Sequence, residues 1–231
     1  MPIFTRRIAY DRKKLLSSAD ALRGGRRWRK ALRLYRQILA AEPENADLHL
    51  RAAPLLARAR RSDEAWESFR VAGEELARRG DASAVFTLHQ QAARVLPASF
   101  DACRSLARLL VARGESEEAL RMLVATSERL ARRASRGQAI VLLRDARRIA
   151  PWNARVVLLL ARLLWREGQP AEALFLLDAL DERVDGADRI ATRALTLRIE
   201  PGLRHAWRWL RARRESKAPV RAAPTRRRAR A

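Results

Sequence analysis

Ser62-Asp63-Glu64-Ala65-Trp66-Glu67-Ser68-Phe69 lies over Ser116-Glu117-Glu118-Ala119-Leu120-Arg121-Met122-Leu123 when the chain is written in lines of 54, and both lie over Pro170-Ala171-Glu172-Ala173-Leu174-Phe175-Leu176-Leu177. Pro43, Pro97 and Pro151 fall at one shared offset. Self-similarity at a fixed period marks a solenoid, in which each repeat buries its apolar face against its neighbours. The repeating tract runs from Ala46 to Gly186.

Each 54-residue line reads as three helices. They are expected at residues 47–60, 63–79 and 82–95, then 101–113, 116–133 and 136–149, then 154–167, 170–183 and 188–199. Ser62 and Ser116 are the expected N-caps, with acidic residues in the first turn, and Pro170 suits the first helical position. Gly80, Gly114 and Gly168 should close helices. Pro54 should kink its helix or delay its start. Before the repeats, residues 12–22 form a helix stopped by Gly24-Gly25. Residues 28–41 form another, with Trp28, Ala31, Leu32, Tyr35, Ile38 and Leu39 on one stripe. After them, Leu203 to Arg214 reads as a capping helix with Trp207 and Leu210 inward. Residues 215–231 have little to bury and should be disordered.

Composition agrees with an all-α chain. Gly and Pro number 9 each in 231 residues, and Ala, Leu, Arg and Glu, all good helix formers, dominate. The one cysteine, Cys103, excludes an internal disulfide framework. No apolar run is long enough to span a bilayer. The first residues lack a secretory h-region, and the expected location is cytoplasmic.

Net charge is +23, and its placement matters more than its size. Residues 1–37 hold 12 basic and 2 acidic side chains, residues 202–231 hold 11 and 1, and the 164 between them hold 26 and 23. The body is nearly neutral and the ends are basic. Arginine outnumbers lysine 45 to 4, a bias of composition from which the choice of Arg over Lys cannot be read.

The tract from residue 12 to 187 resembles the tetratricopeptide repeat family, helix–turn–helix units of about 34 residues with small residues where helices cross. Ala107, Gly114 and Ala119 match the small position of the first helix, the turn and the small position of the second. Ala161, Gly168 and Ala173 repeat them. Ala31, Tyr35 and Pro43 match the second-helix alanine, its aromatic and the closing proline, and Gly73, Gly80, Ala92 and Pro97 match in residues 66–99. Two helices 8–10 Å apart at a crossing leave no room for a long side chain. The resemblance implies a right-handed α-solenoid of stacked helical hairpins, about 10–12 helices in all. Its expected divisions are a leader at 1–11, the solenoid at 12–187, capping helices at 188–214 and a basic tail at 215–231. A family of this kind binds proteins and is not an enzyme.

No catalytic, cofactor or metal site is expected. His49, His89 and His205 lie on separate helices without ligand spacing, and Cys103 falls on an inward helical position, as a small apolar residue. Glu74-Glu75 and Glu117-Glu118 sit among arginines as surface ion pairs. If first helices line the concave face, as in the family, Arg104, Arg108, Arg155, Arg162, Trp165 and Arg166 face a groove suited to an acidic peptide or a helix of acidic and apolar residues. The family's carboxylate clamp pairs lysine with asparagine, and Arg104 and Arg108 stand in those places, so that specific activity is not implied. The alternative is non-specific binding of nucleic acid, or another polyanion, by Lys13, Lys14, Arg26, Arg27, Arg29, Lys30, Arg226, Arg227 and Arg228. A membrane surface is not the expected partner, because the leader with Ile3, Phe4, Ile8 and Tyr10 is too short for a strong amphipathic anchor.

Overall fold

The structure, a computed structural model, describes residues 11–132 and 135–217. The described residues form twelve α-helices and no strand: α1 (Arg12–Gly24), α2 (Trp28–Ala41), α3 (Ala46–Arg58), α4 (Ser62–Arg78), α5 (Ala82–Val95), α6 (Phe100–Ala112), α7 (Ser116–Arg132), α8 (Arg136–Ile149), α9 (Ala154–Arg166), α10 (Pro170–Asp181), α11 (Gly186–Ile199) and α12 (Leu203–Lys217). The chain divides into two compact units, residues 1–130 and 131–231. The expectations for the leader and for the tail beyond residue 217 lie outside the described residues.

From α2 to α10 the helix starts keep the period of 54 to the residue. Helices α3, α6 and α9 begin at Ala46, Phe100 and Ala154, each 13 residues long, and α2, α5 and α8 begin at Trp28, Ala82 and Arg136, each 14 long. The first set shares one start signal. Asn45 Oδ1 accepts from the Leu48 N–H at 3.2 Å, Ser99 Oγ from the Ala102 N–H at 3.3 Å, and Asn153 Oδ1 from the Val156 N–H at 3.2 Å. Each satisfies an amide that a helix start leaves without a partner, a contribution of about 1 kcal/mol.

Ser62 and Ser116 are not the caps the sequence suggested. Each is the first residue of its helix, and the cap before Ser62 is Arg61, whose side chain makes no capping bond. Pro170 does open α10. Pro54 neither ends α3 nor delays it; the helix runs through it from Ala46 to Arg58.

Within the first unit, neighbouring helices from α1 to α6 pack in sequence. Their shared core holds Ala31, Tyr35, Ile38, Leu48, Phe69 and Leu88. In the second unit α8 packs on α9, α9 on α10, α10 on α11 and α11 on α12, around Leu142, Leu160, Leu164, Leu177 and Leu180. The alanines expected at crossings are buried, among them Ala65, Ala119 and Ala173, all 0 % exposed. Burying each Leu or Phe in these seams stabilises by about 2 kcal/mol.

The capping helix corrects a second expectation. α12 extends to Lys217, past the expected end at Arg214. Trp207 and Leu210 point outward, and the buried residue of α12 is Ala212. Trp209, on the other side from Trp207, is half-buried. Leucine and tryptophan at i and i+3 fit either face of a helix; the small Ala212 decides which face comes close.

Candidate binding cleft

Helix ends explain where the basic side chains gather. After α1 and α3 the chain turns through a left-handed residue, and the residues there are Arg26 (φ 56°) and Arg60 (φ 61°). One period from Arg26 stands Gly80 (φ 77°); one and two periods from Arg60 stand Gly114 (φ 81°) and Gly168 (φ 77°). Glycine takes this conformation freely, whereas a side chain there costs about 1 kcal/mol. Gly24-Gly25 precede the left-handed residue of the first turn, so the expected stop was two residues early. The first unit therefore bears two strained arginines where sibling turns carry glycine.

Arg60 faces a cleft. A pocket of about 260 Å³ is lined by Trp28, Arg29, Leu32, Leu55, Arg58, Ala59 and Arg60. A larger one of about 530 Å³ shares Arg29, Leu32 and Ala59 with it and adds Arg33, Arg36, Gln37, Ala40 and Arg61. Together they form a trough along α2, facing the turn between α3 and α4. Its floor is apolar and its rims are arginine. The Arg58 guanidinium lies 4.5 Å from the centre of the Trp28 ring, a cation–π contact that holds both in place.

The charge in this trough is not neutralised. Glu64 accepts from Arg36 at 2.5 Å and pairs with Arg61 as well. Among the described residues no carboxylate pairs with Arg29, Arg33 or Arg60. Six arginines thus share one acidic side chain. A third pocket, of about 520 Å³ on α5, α6 and α7, balances Arg94 against Glu118 and has no such excess.

Of the expected polyanion contacts, Arg29 lines the trough, and Lys13, Lys14, Arg26, Arg27 and Lys30 are exposed on α1, α2 and the turn between them. Arg226, Arg227 and Arg228 lie outside the described residues. The expected groove residues fall in two units. In the first, Arg104 is half-buried 5.6 Å from the Phe100 ring and Arg108 is exposed one turn on. In the second, Arg155, Arg162 and Arg166 share one exposed face of α9, and Trp165 is half-buried with Arg198 at 6.0 Å. Arg58, Arg60 and Arg61 were missed. Their signal was the run Arg58-Ala59-Arg60-Arg61 at a turn, where the other lines have Ala112-Arg113-Gly114-Glu115 and Arg166-Glu167-Gly168-Gln169.

The half-buried histidines and the buried cysteine do not gather. Cys103 is a buried thiol with Sγ 3.9 Å from the Met122 carbonyl. His89 packs on Trp66 with ring centres 5.9 Å apart, and burial pushes its pKa down. His49 Nε2 lies 2.7 Å from the Pro43 carbonyl. Among the described residues no three His, Cys, Asp or Glu side chains form a metal site, and no helix is long and apolar enough to cross a membrane.

Residues 130–195 match the sequence profile described as "Tetratricopeptide repeat". No curated protein matches the chain. Among solved structures, PilW, a widely conserved type IV pilus biogenesis factor, is similar at 18% identity over 92% of this chain and 94% of that one, with a TM-score of 0.37. PilF from Pseudomonas aeruginosa is similar at 15% identity over 91% and 92%, TM-score 0.40. The Rap conjugation gene regulator of plasmid pLS20, solved with the Phr* peptide, is similar at 16% identity over 88% of this chain and 62% of that one, TM-score 0.40. These likenesses concern fold only.

Proposed function

We propose that this tetratricopeptide-like chain is a non-enzymatic scaffold that holds a peptide segment with acidic and apolar side chains in the trough along α2. The reading rests on one observation. Arg60 occupies a left-handed turn position at which Gly114 and Gly168 serve the same turn without strain, and it lines the Trp28 pocket. Strain kept at a cleft points to use of the side chain that causes it. The floor of Leu32, Leu55 and Ala59 takes an apolar anchor, and the unpaired guanidinium groups of Arg29, Arg33 and Arg60 take carboxylates on either side. Helices fixed by a packed core present these groups at set spacing, so little order is lost on binding. Arg104 and Arg108 on α6, and Arg155, Arg162, Arg166 and Trp165 on α9, offer further contacts of the same chemistry within their own units. A cytoplasmic setting fits the reduced Cys103.

The test is fluorescence anisotropy with a labelled peptide alternating glutamate and leucine. Arg29→Ala with Arg33→Ala should weaken binding about tenfold. Binding that ignores the pair overturns the reading. So does preferential capture of random DNA duplex, lost steeply as salt rises, by the same groups.

A further inference from the structure

Helix α12 covers one side of itself and leaves the other bare. Its covered side holds His205, Trp209 and Ala212, and Arg208 there reaches Asp181 of α10 at 2.9 Å. On the opposite side, positions 203, 207, 210 and 214 stack one above another at helical spacing. Leu203 is 92 % exposed, Trp207 63 % and Leu210 41 %. Elsewhere a large apolar surface residue can have cover: Trp152 lies under Arg183 at 3.9 Å.

Charge identifies what the stripe meets. Arg204 and Arg211 run along one edge, Arg213 stands on the other, and Arg214 continues the stripe itself. Glu215 is the one acidic residue on the helix, and it pairs with Arg211 at 2.8 Å. A second copy of this face would set arginine against arginine. A protein partner would need acidic rows on both edges of a matching apolar ridge. An anionic bilayer offers a sheet of negative headgroups over an apolar layer, and it needs no shaped counterpart. Residues 218–231 follow directly, with Arg221, Arg226, Arg227, Arg228 and Arg230 and no acidic residue. An amphipathic helix beside a basic cluster supplies the two signals that stable attachment to a membrane surface requires.

We propose that α12 docks onto an anionic lipid surface, lying in its plane with Trp207 at the boundary between headgroups and acyl chains. From the sequence a membrane surface is not the expected partner, and anionic lipid is only one polyanion for the basic ends, whereas here the apolar stripe of α12 carries the docking. It is independent of the trough along α2.

The test is co-sedimentation of the full chain with vesicles of phosphatidylcholine alone, or with about one third phosphatidylglycerol. The chain should bind the anionic vesicles and leave the neutral ones. Trp207→Ser with Leu210→Ser, both on the uncovered side, should lower that binding about tenfold without changing the thermal melt. Trp207→Phe should keep the binding and lose the fluorescence quenching that brominated acyl chains cause in the parent protein. The proposal fails if anionic vesicles do not bind, if neutral vesicles bind as well, or if the double serine variant binds like the parent. It also fails if the quenching survives Trp207→Phe.

Discussion

Each unit ties three consecutive helices through one aspartate, and the two knots differ in depth. In the first unit Asp20 of α1 accepts from the Tyr35 hydroxyl of α2 at 2.6 Å and from Arg51 of α3 at 2.5 Å. In the second, Asp181 of α10 accepts from Arg193 of α11 at 2.8 Å and from Arg208 of α12 at 2.9 Å. The Asp20 side chain is 31 % exposed and that of Asp181 only 8 %. The shallow knot mixes a neutral donor with a cation, and its tyrosine is fully buried. The deep knot sets two guanidinium groups on one carboxylate, so each is needed to offset the desolvation of the others.

Removing the carboxylates breaks the comparison most severely. Asp181→Ala leaves Arg193 without its carboxylate and Arg208 with only the more distant Asp178, at 3.8 Å, and should cost about 4 kcal/mol in urea unfolding. Asp20→Ala should cost about 2 kcal/mol, chiefly through the stranded Tyr35 hydroxyl. Equal losses would show that burial does not set the difference. The shallow knot also answers to acid. Burial alone would raise the pKa of Asp20, but hydrogen bonds from Tyr35 and Arg51, with the charges of Arg51 and Arg23, bring it below 3.8. A lowered folded pKa gives stability that is complete above the unfolded value of 3.8 and lost as pH falls through the folded one. Burial and the bond to Asp20 meanwhile push the Tyr35 phenol up to about 12.

A smaller effect separates the turns. Gly114→Ala should destabilise by about 1 kcal/mol, whereas Arg60→Gly should stabilise by about the same amount. Arg60→Gly should also weaken the acidic peptide in the anisotropy assay. A gain in melting temperature with unchanged affinity would separate the strain from the binding.

The slightest change concerns His89, which occupies the repeat position held by Tyr35 one line earlier and Leu143 one line later. Burial lowers its pKa below 6.5, so the folded protein favours the neutral ring. Its stability is complete above the unfolded value and declines as pH falls below about 6.5. His89→Leu should flatten urea midpoints measured between about pH 7 and pH 5. A slope that persists in the variant must come from another group.

The helices were legible because their signal repeats. Ala65, Ala119 and Ala173 fall in one column of the sequence, and a column of small residues has one plain packing meaning. The caps were misread because serine is a good cap wherever it stands. Ser62 drew attention, while Asn45, Ser99 and Asn153 formed the true column, each two residues after a proline. The trough was harder to see. Arg29 and Arg60 are about thirty positions apart in sequence, and only the packing of α2 on α3 and the left-handed turn at Arg60 bring them to one cleft. Trp207 and Leu210 have helical spacing that suits either face, so spacing alone does not choose between core and surface.

The lone thiol gives the molecule its own clock. Cys103 is sealed beneath α7 and has no second thiol with which to cross-link. A small maleimide reaches it only when α6 and α7 part, so the labelling rate of the untouched chain counts those partings directly. Any ligand that tightens the first unit should make that clock run slower.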